Sequence, residues 1–167
     1  MAIREALLPE YDHEMANTRK LLERLPDDRA TWKPHEKSMT LHRLATHVVE
    51  IPGWVTSILD AESFDVAPAG GTPRVPPSLG SRQDFPQAFD KNVASARAKI
   101  AAQSDAEFMT PWSLKNSGRT VLTLPRAGVV RSMLLNHLIH HRAQLGVYLR
   151  LQNVPLPSLY GPSADES

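Results

Sequence analysis

Histidine is abundant and cysteine is missing in this chain of 167 residues. Without cysteine the chain cannot form disulfides, thiolate nucleophiles, iron–sulfur clusters or cysteine-based zinc sites. Imidazole and carboxylate groups must therefore supply the ligands of any metal site, and a sulfur nucleophile must come from another molecule. The seven histidines lie at positions 13, 35, 42, 47, 137, 140 and 141.

Three of these histidines have the spacing of metal ligands. His137 and His141 are four residues apart in a helical pattern, so their side chains leave one helix face a turn apart. His47 lies on the apolar face of another predicted helix, between Leu44 and Ile51. Buried imidazoles on two helices need partners, and a shared divalent metal ion would satisfy all three. The alternative for His47 is a core histidine that bonds a backbone carbonyl.

The remaining histidines are weaker candidates. His140 leaves its helix about 100° away from His141, so we expect it in solvent or beside the ligands. His13 and His42 lie outside the apolar stripes of their helices and are expected to face solvent. His35 lies in the connector between the first two helices, where it could overhang a site or be solvated.

Glu50 is the acidic candidate nearest to these ligands, because it follows His47 by three residues. Its carboxylate could orient a ligand histidine or act as a general base. An ordinary solvent-exposed glutamate is the alternative.

The composition indicates one ordinary globular domain that spans residues 1–167. Hydrophobic residues make up 41% and charged residues 22% of the chain, close to globular averages. The net charge of +1 provides no basic field for a nucleic acid. No apolar stretch approaches the ~18 residues of a membrane span, and the N-terminus lacks a signal-peptide pattern. We therefore expect a cytoplasmic protein that binds neither nucleic acid nor membrane.

Apolar repeats and prolines divide the chain into four predicted helices. The first helix has Pro9 in its first turn, where the missing N–H costs nothing, and ends at Pro26. The second is capped by Ser38 or Thr40 and kinked at Pro52. The third covers residues 81–102, after a loop at 65–80 that is rich in proline and glycine.

The last helix begins at Pro125, after a short hairpin predicted between Leu114 and Leu124. Residues 154–167 are proline-rich and are expected to form an extended arm. Together these elements predict an all-α fold, a four-helix bundle, with a short hairpin or irregular segment before the last helix.

The apolar pattern also predicts which faces of the first and last helices point to solvent or to the core. In the first helix, Glu14 belongs to the polar face that is expected in solvent. In the last helix, residues at steps of three and four form a seam that is expected to face the core: Val130, Leu134, His137, His141, Gln144, Tyr148 and Leu151.

The sequence resembles the DinB family along nearly its whole length. The resemblance is carried by the run Asn136–Leu145, by the tail Tyr160–Glu166, and by the stretches Trp32–Met39 and Leu44–Trp54, in the family's order. Ala143 stands where the family commonly has a glycine, which is a change between small residues. The family is named for induction by DNA damage, and the name does not imply DNA binding.

The resemblance implies a four-helix bundle, usually a homodimer, in which three histidines hold a divalent metal ion. The positions that match these ligands are His47, His137 and His141. The wider superfamily includes thiol-dependent S-transferases and a maleylpyruvate isomerase that uses a low-molecular-weight thiol.

A metal ion with three neutral protein ligands keeps an open position, which is typical of catalytic sites. We therefore expect a metal-dependent thiol S-transferase or hydrolase that acts on a small molecule and, for transfer, uses an external thiol. The alternatives are a non-catalytic metal-binding protein of the stress response and a bundle whose histidines merely pack. Zinc and nickel are the expected metals, with iron and copper also suited to imidazole. A homodimer could form through the C-terminal arm or the exposed side of the last helix.

Overall fold

The computed structural model describes residues 1–71 and 76–166. Helices dominate: α1 (Ile3–Leu22), α2 (Leu41–Glu50), α3 (Val55–Asp60), α4 (Asp84–Ala102), α5 (Asp105–Phe108), α6 (Arg126–Val129) and α7 (His137–Leu151). A 3-10 turn (Ile51–Trp54) joins α2 to α3, and a π-helical segment (Val130–Asn136) joins α6 to α7. The strands are β1 (Ser63–Asp65), β2 (Pro111–Asn116) and β3 (Arg119–Pro125).

The chain is mostly helical, but its three strands form one sheet, so the expectation of an all-α fold is imprecise. Strand β1 pairs with β2 in parallel, and β2 pairs with β3 as an antiparallel hairpin. The hairpin turns through Ser117 and Gly118, both with positive φ, which matches the twist of the strands. Asp65 at the end of β1 accepts the backbone N–H groups of these two residues. The hairpin is the element predicted between Leu114 and Leu124, whereas β1 is too short to show a strand pattern.

Helix α1 begins at Ile3, well before Pro9, which therefore lies inside the helix and not in its first turn. The apolar face continues toward the N-terminus through Ile3 and Leu7, which pack against the core. The backbone N–H of Ala2 donates to the Glu5 carboxylate at 2.9 Å and closes this end of the helix. Burial of the additional turn thus outweighs the preference of proline for a helix start.

Pro52 divides the second predicted helix. The hydroxyl of Thr40 accepts the backbone N–H of Arg43 and caps α2. The α-helix ends at Glu50, and the chain passes through the 3-10 turn before α3 continues. The expected kink therefore takes the form of a tighter turn, because proline cannot donate an α-helical hydrogen bond. In the predicted loop at 65–80, residues 72–75 lie outside the described residues.

The last helix buries a different face from the predicted seam. The fully buried apolar residues of α7 are Leu138, Leu145 and Leu149, whereas Leu151 is 55% exposed and Gln144 is exposed. The buried face is displaced by one residue, about 100°, from the seam that was extended from Val130 and Leu134. Both residues lie in the π-helical segment that precedes α7, and its wider turns change the helical phase, so a repeat of 3.6 residues does not carry across it.

The core lies between four helices. Helix α1 packs against α4 and α7, and α2 packs against the same two helices. Glu14 of α1 is buried and forms an ion pair of 2.6 Å with the buried Arg142 of α7. Glu14 therefore does not face solvent, because a charge on the facing helix compensates its burial. Within the described residues, no helix is long and apolar enough to cross a membrane.

The C-terminal arm folds back onto its own chain. Residues 154–166 have no regular helix or strand, and Leu156 and Leu159 pack against the core. The Tyr160 hydroxyl donates to Glu14 at 2.7 Å. Asp165 pairs with Arg150 of α7 at 2.5 Å. These contacts fix the arm along α1 and α7.

Candidate metal centre

Helices α2 and α7 bring three histidines together. Nε2 of His47 lies 3.0 Å from Nε2 of His137, and one nitrogen from each of His47, His137 and His141 lies within 4.8 Å of the others. The imidazole of His141 is centred 4.4 Å from that of His47. Positions with helical spacing on two packed helices thus converge on one point, as the sequence indicated.

The donor set fits a divalent metal ion. Two imidazole nitrogens bound at ~2.0–2.1 Å to one zinc ion, with an N–Zn–N angle between the octahedral and the tetrahedral value, lie roughly 2.8–3.4 Å apart. The observed separation of 3.0 Å between the His47 and His137 nitrogens falls in this range. Small side-chain movements of His141 would complete a three-nitrogen site. Zinc, nickel and iron all accept such ligands.

Burial keeps two of these imidazoles neutral. It lowers the pKa of His137 from its ordinary value of 6.5 to about 4, with smaller contributions from His141 and His140. Burial also lowers the pKa of His141, although the hydrogen bond with Gln144 acts in the opposite direction. Both side chains therefore present lone pairs at neutral pH, which is the form that binds a metal.

Gln144 orients His141. Its side-chain oxygen lies 2.8 Å from Nδ1 of His141. Because an amide oxygen only accepts hydrogen bonds, Nδ1 must carry the proton, and Nε2 is the nitrogen left for a metal. The sequence pattern predicts Gln144 on the packing seam and does not indicate this role. The signal that could have found it is the spacing of three residues from His141 on the same helix.

Glu50 is buried beside the cluster, so the alternative of an ordinary solvent-exposed glutamate is wrong. Only 6% of its side chain is exposed. Its carboxylate lies 3.7 Å from Nδ1 of His47 and 3.0 Å from the guanidinium of Arg43. A carboxylate next to the outer nitrogen of a ligand histidine is a common support of metal sites.

The chain is similar to proteins of one known family. Residues 5–167 match the DinB family. The chain belongs to the DinB family. A relative in this family, the uncharacterized protein YrdA of Bacillus subtilis (strain 168), is 29% identical over 160 residues, which cover 95% of this chain and 89% of that protein.

Two crystal structures of DinB-like proteins share the fold. The protein from Bacillus cereus ATCC 10987 has a TM-score of 0.71 and 22% identity, and the match covers 93% of this chain and 97% of that one. The protein YjoA from Bacillus subtilis has a TM-score of 0.69 and 16% identity, and the match covers 93% of this chain and 99% of that one. At these identities the likeness concerns the DinB fold alone.

The structure does not bring the other histidines into this candidate centre of the DinB chain. His140 is exposed, and its ring packs 4.8 Å from that of His141, so it lies beside the cluster. His35 is exposed in the connector and accepts the backbone N–H of Lys37. His13 is exposed and contacts Asn17.

His42 departs from its predicted position in solvent. It is half-buried, its Nε2 lies 2.8 Å from the carbonyl oxygen of Leu79, and its ring contacts Phe85 edge-on. This histidine supports the loop that precedes α4. It therefore has a packing role away from the cluster.

Trp54 covers one side of the cluster. Its ring is centred 5.5 Å from that of His47 and 5.2 Å from that of His137. Its indole Nε1 is buried and has no hydrogen-bond partner among the described residues. Trp54 lies in the 3-10 turn that Pro52 introduces, so the break in the second helix positions this side chain.

Proposed function

We propose that this DinB-family protein binds one divalent metal ion through His47, His137 and His141 and uses it to catalyse a reaction on a small electrophile. The reaction is transfer of the electrophile to an external thiol or its hydrolysis. The observation that supports the proposal is the convergence of three histidine nitrogens within 4.8 Å at the junction of two helices.

The donor set favours a catalytic over a purely structural site. Three neutral imidazoles leave the charge of the ion uncompensated and at least one coordination position open, whereas structural zinc sites close all four. When bound, such an ion supplies a Lewis acid that keeps water or a thiol in its anionic form near neutral pH. Zinc and nickel are the proposed metals, with iron next.

The protein is proposed to orient the ligand histidines, and it must obtain any thiol from outside the chain. Gln144 fixes the tautomer of His141. Glu50 is held by Arg43 at 3.0 Å, which supports a role in orienting His47 better than that of a mobile general base. Because the chain has no cysteine, any sulfur nucleophile is a diffusible thiol. Its sulfur would bond to the electrophilic carbon, the leaving group would depart with the bonding electrons, and the thiol proton would pass to solvent.

The surrounding architecture is proposed to be the bundle that the DinB resemblance implies, formed by α1, α2, α4 and α7. A homodimer is proposed through the outer side of α7, where Val147 is 59% and Leu151 is 55% exposed. The arm packs on its own chain, which favours this helix face over the arm as the contact.

Cobalt spectroscopy tests the proposed function. We expect Co²⁺ to give a visible absorption spectrum with the wild-type protein, and a low-molecular-weight thiol to add a sulfur-to-cobalt charge-transfer band. The His35→Ala variant is the matched control, because His35 lies outside the cluster, and it should behave like wild type. If the wild type shows no turnover with panels of thiols and electrophiles, and thiol addition does not change its cobalt spectrum, the result would instead favour the non-catalytic metal-binding protein.

A further inference from the structure

An apolar cavity lies next to the histidine cluster, and the side chain of Trp54 contacts both. Its volume is about 190 Å³. Its walls come from the 3-10 turn and α3, from the sheet and from the π-helical segment, and they include Trp54, Phe64, Val66, Trp112, Leu114 and Met133. Among the described residues that line it, none is charged.

The small sheet builds one wall of this cavity. Phe64 of β1 and Leu114 of β2 are directly opposite each other in the register, so their side chains share one face. Trp112 precedes Leu114 by two residues and belongs to the same face. This face of the sheet therefore covers an apolar space next to the cluster.

Trp54 connects the cavity to the candidate metal centre. Its ring contacts His47 and His137, and it also lines the cavity. Met133 of the π-helical segment also lines the cavity, and it precedes His137 by four residues. A molecule in the cavity would thus lie within one side chain of the histidines.

The two tryptophans of the lining differ in their hydrogen bonds. Nε1 of Trp112 donates to the backbone oxygen of Ser57 at 2.9 Å. Nε1 of Trp54 is buried with no partner among the described residues. Because an unpaired buried N–H is costly, a ligand that offers an acceptor would recover a hydrogen bond once a small rotation of the Trp54 ring brings Nε1 to the cavity surface.

We propose that this cavity binds the substrate as a neutral compound with a single ring and one hydrogen-bond acceptor. An apolar cavity of roughly 150 Å³ accommodates benzene, so the present volume takes one six-membered ring with a short substituent. The uncharged lining disfavours a carboxylate or an ammonium group. The assignment of this ligand as the substrate rests on the proposed metal-dependent function, whereas binding to the cavity does not require the metal.

Nuclear magnetic resonance of the indole N–H groups tests the cavity directly. The probe is benzamide, added to ¹⁵N-labelled protein that is metal-free or loaded with zinc. We expect a saturable shift of the Trp54 signal in both forms, with a Kd in the millimolar range that is usual for fragments. The signal of Trp32, which packs against Tyr148 away from the cavity, should not move. With the metal-free protein, benzoate should bind about tenfold more weakly or worse.

Two matched variants locate the binding. Val66 lines the cavity and is 54% exposed, and Val121 on β3 is 63% exposed and outside the lining. Val66→Trp should weaken benzamide binding by about tenfold or more by filling the cavity mouth, and Val121→Trp should leave it unchanged. Absence of a saturable Trp54 shift, or wild-type affinity in folded Val66→Trp, would overturn the proposal. Because the metal-free protein is used, this failure is separate from a failure to bind metal.

Discussion

The side-chain oxygen of Gln144 lies 2.8 Å from Nδ1 of His141. This hydrogen bond leaves Nε2 as the nitrogen that can face His47 and His137. Replacement of Gln144 by leucine keeps the volume and removes the acceptor, so the imidazole loses its fixed tautomer. Gln144→Leu should lower metal affinity roughly 10- to 100-fold, measured by competition with a chromophoric chelator.

Gln87→Leu is the matched control, because Gln87 is exposed on α4 and distant in sequence from the cluster. It should retain the metal affinity of the wild type. Equal affinities of the Gln144→Leu variant and the wild type would contradict the role assigned to this hydrogen bond.

Glu50 supports His47 in this account. Glu50→Gln removes the negative charge that lies 3.7 Å from Nδ1 of His47, so metal affinity should fall by about tenfold. Equilibrium dialysis with zinc measures the effect. Glu36→Gln, at an exposed position in the connector, should have none. If Glu50 acted only as a base, its variant would lose turnover while zinc affinity stayed at the wild-type value.

The buried ion pair between Glu14 and Arg142 predicts a large effect on stability. Arg142→Ala leaves the Glu14 carboxylate buried without its cation, and the free energy of unfolding should fall by about 3–5 kcal/mol. The Asp12–Arg97 pair joins α1 to α4, but its side chains are 45% and 48% exposed. Arg97→Ala should therefore cost at most about 1 kcal/mol. Urea denaturation of the metal-free proteins measures both losses in the free energy of unfolding. Losses of similar size in the two variants would contradict the difference expected between the buried and the exposed ion pair.

Stability of the metal-free protein should decrease as the solution is acidified. The pKa of His137 is about 4 in the folded chain against 6.5 for an ordinary histidine. The folded state therefore binds fewer protons than the unfolded state between these values, and the free energy of unfolding falls as pH decreases through this window. Thermal denaturation from pH 7 to pH 4 should show a smaller decrease for His137→Gln than for the wild type. An equal decrease would argue against the depressed pKa.

The sequence predicted the parts of the site that depend on regular helical spacing. His137 and His141 share a face because they are four residues apart, and His47 followed from the apolar pattern around it. Thr40 was one of two predicted caps of α2, and it is the one observed. In each case a local rule decides where the side chain points.

Other features depend on contacts between distant segments, and local rules could not reveal them. Glu14 looks like a surface residue until Arg142 of another helix is placed against it. The strand β1 exists because β2 lies beside it, and its three residues carry no pattern of their own. The π-helical segment before α7 shifts the buried face by one residue, so the seam extrapolated from Val130 reached Leu151 instead of Leu149.

Elemental analysis of protein purified without a histidine tag tests the central claim most directly. The wild type and the His35→Ala control should each contain about one divalent metal ion per chain, and His137→Ala should contain almost none. Circular dichroism of the same samples would establish that the variant remains helical. Equal metal content in the wild type and a folded His137→Ala variant would contradict a three-histidine metal centre.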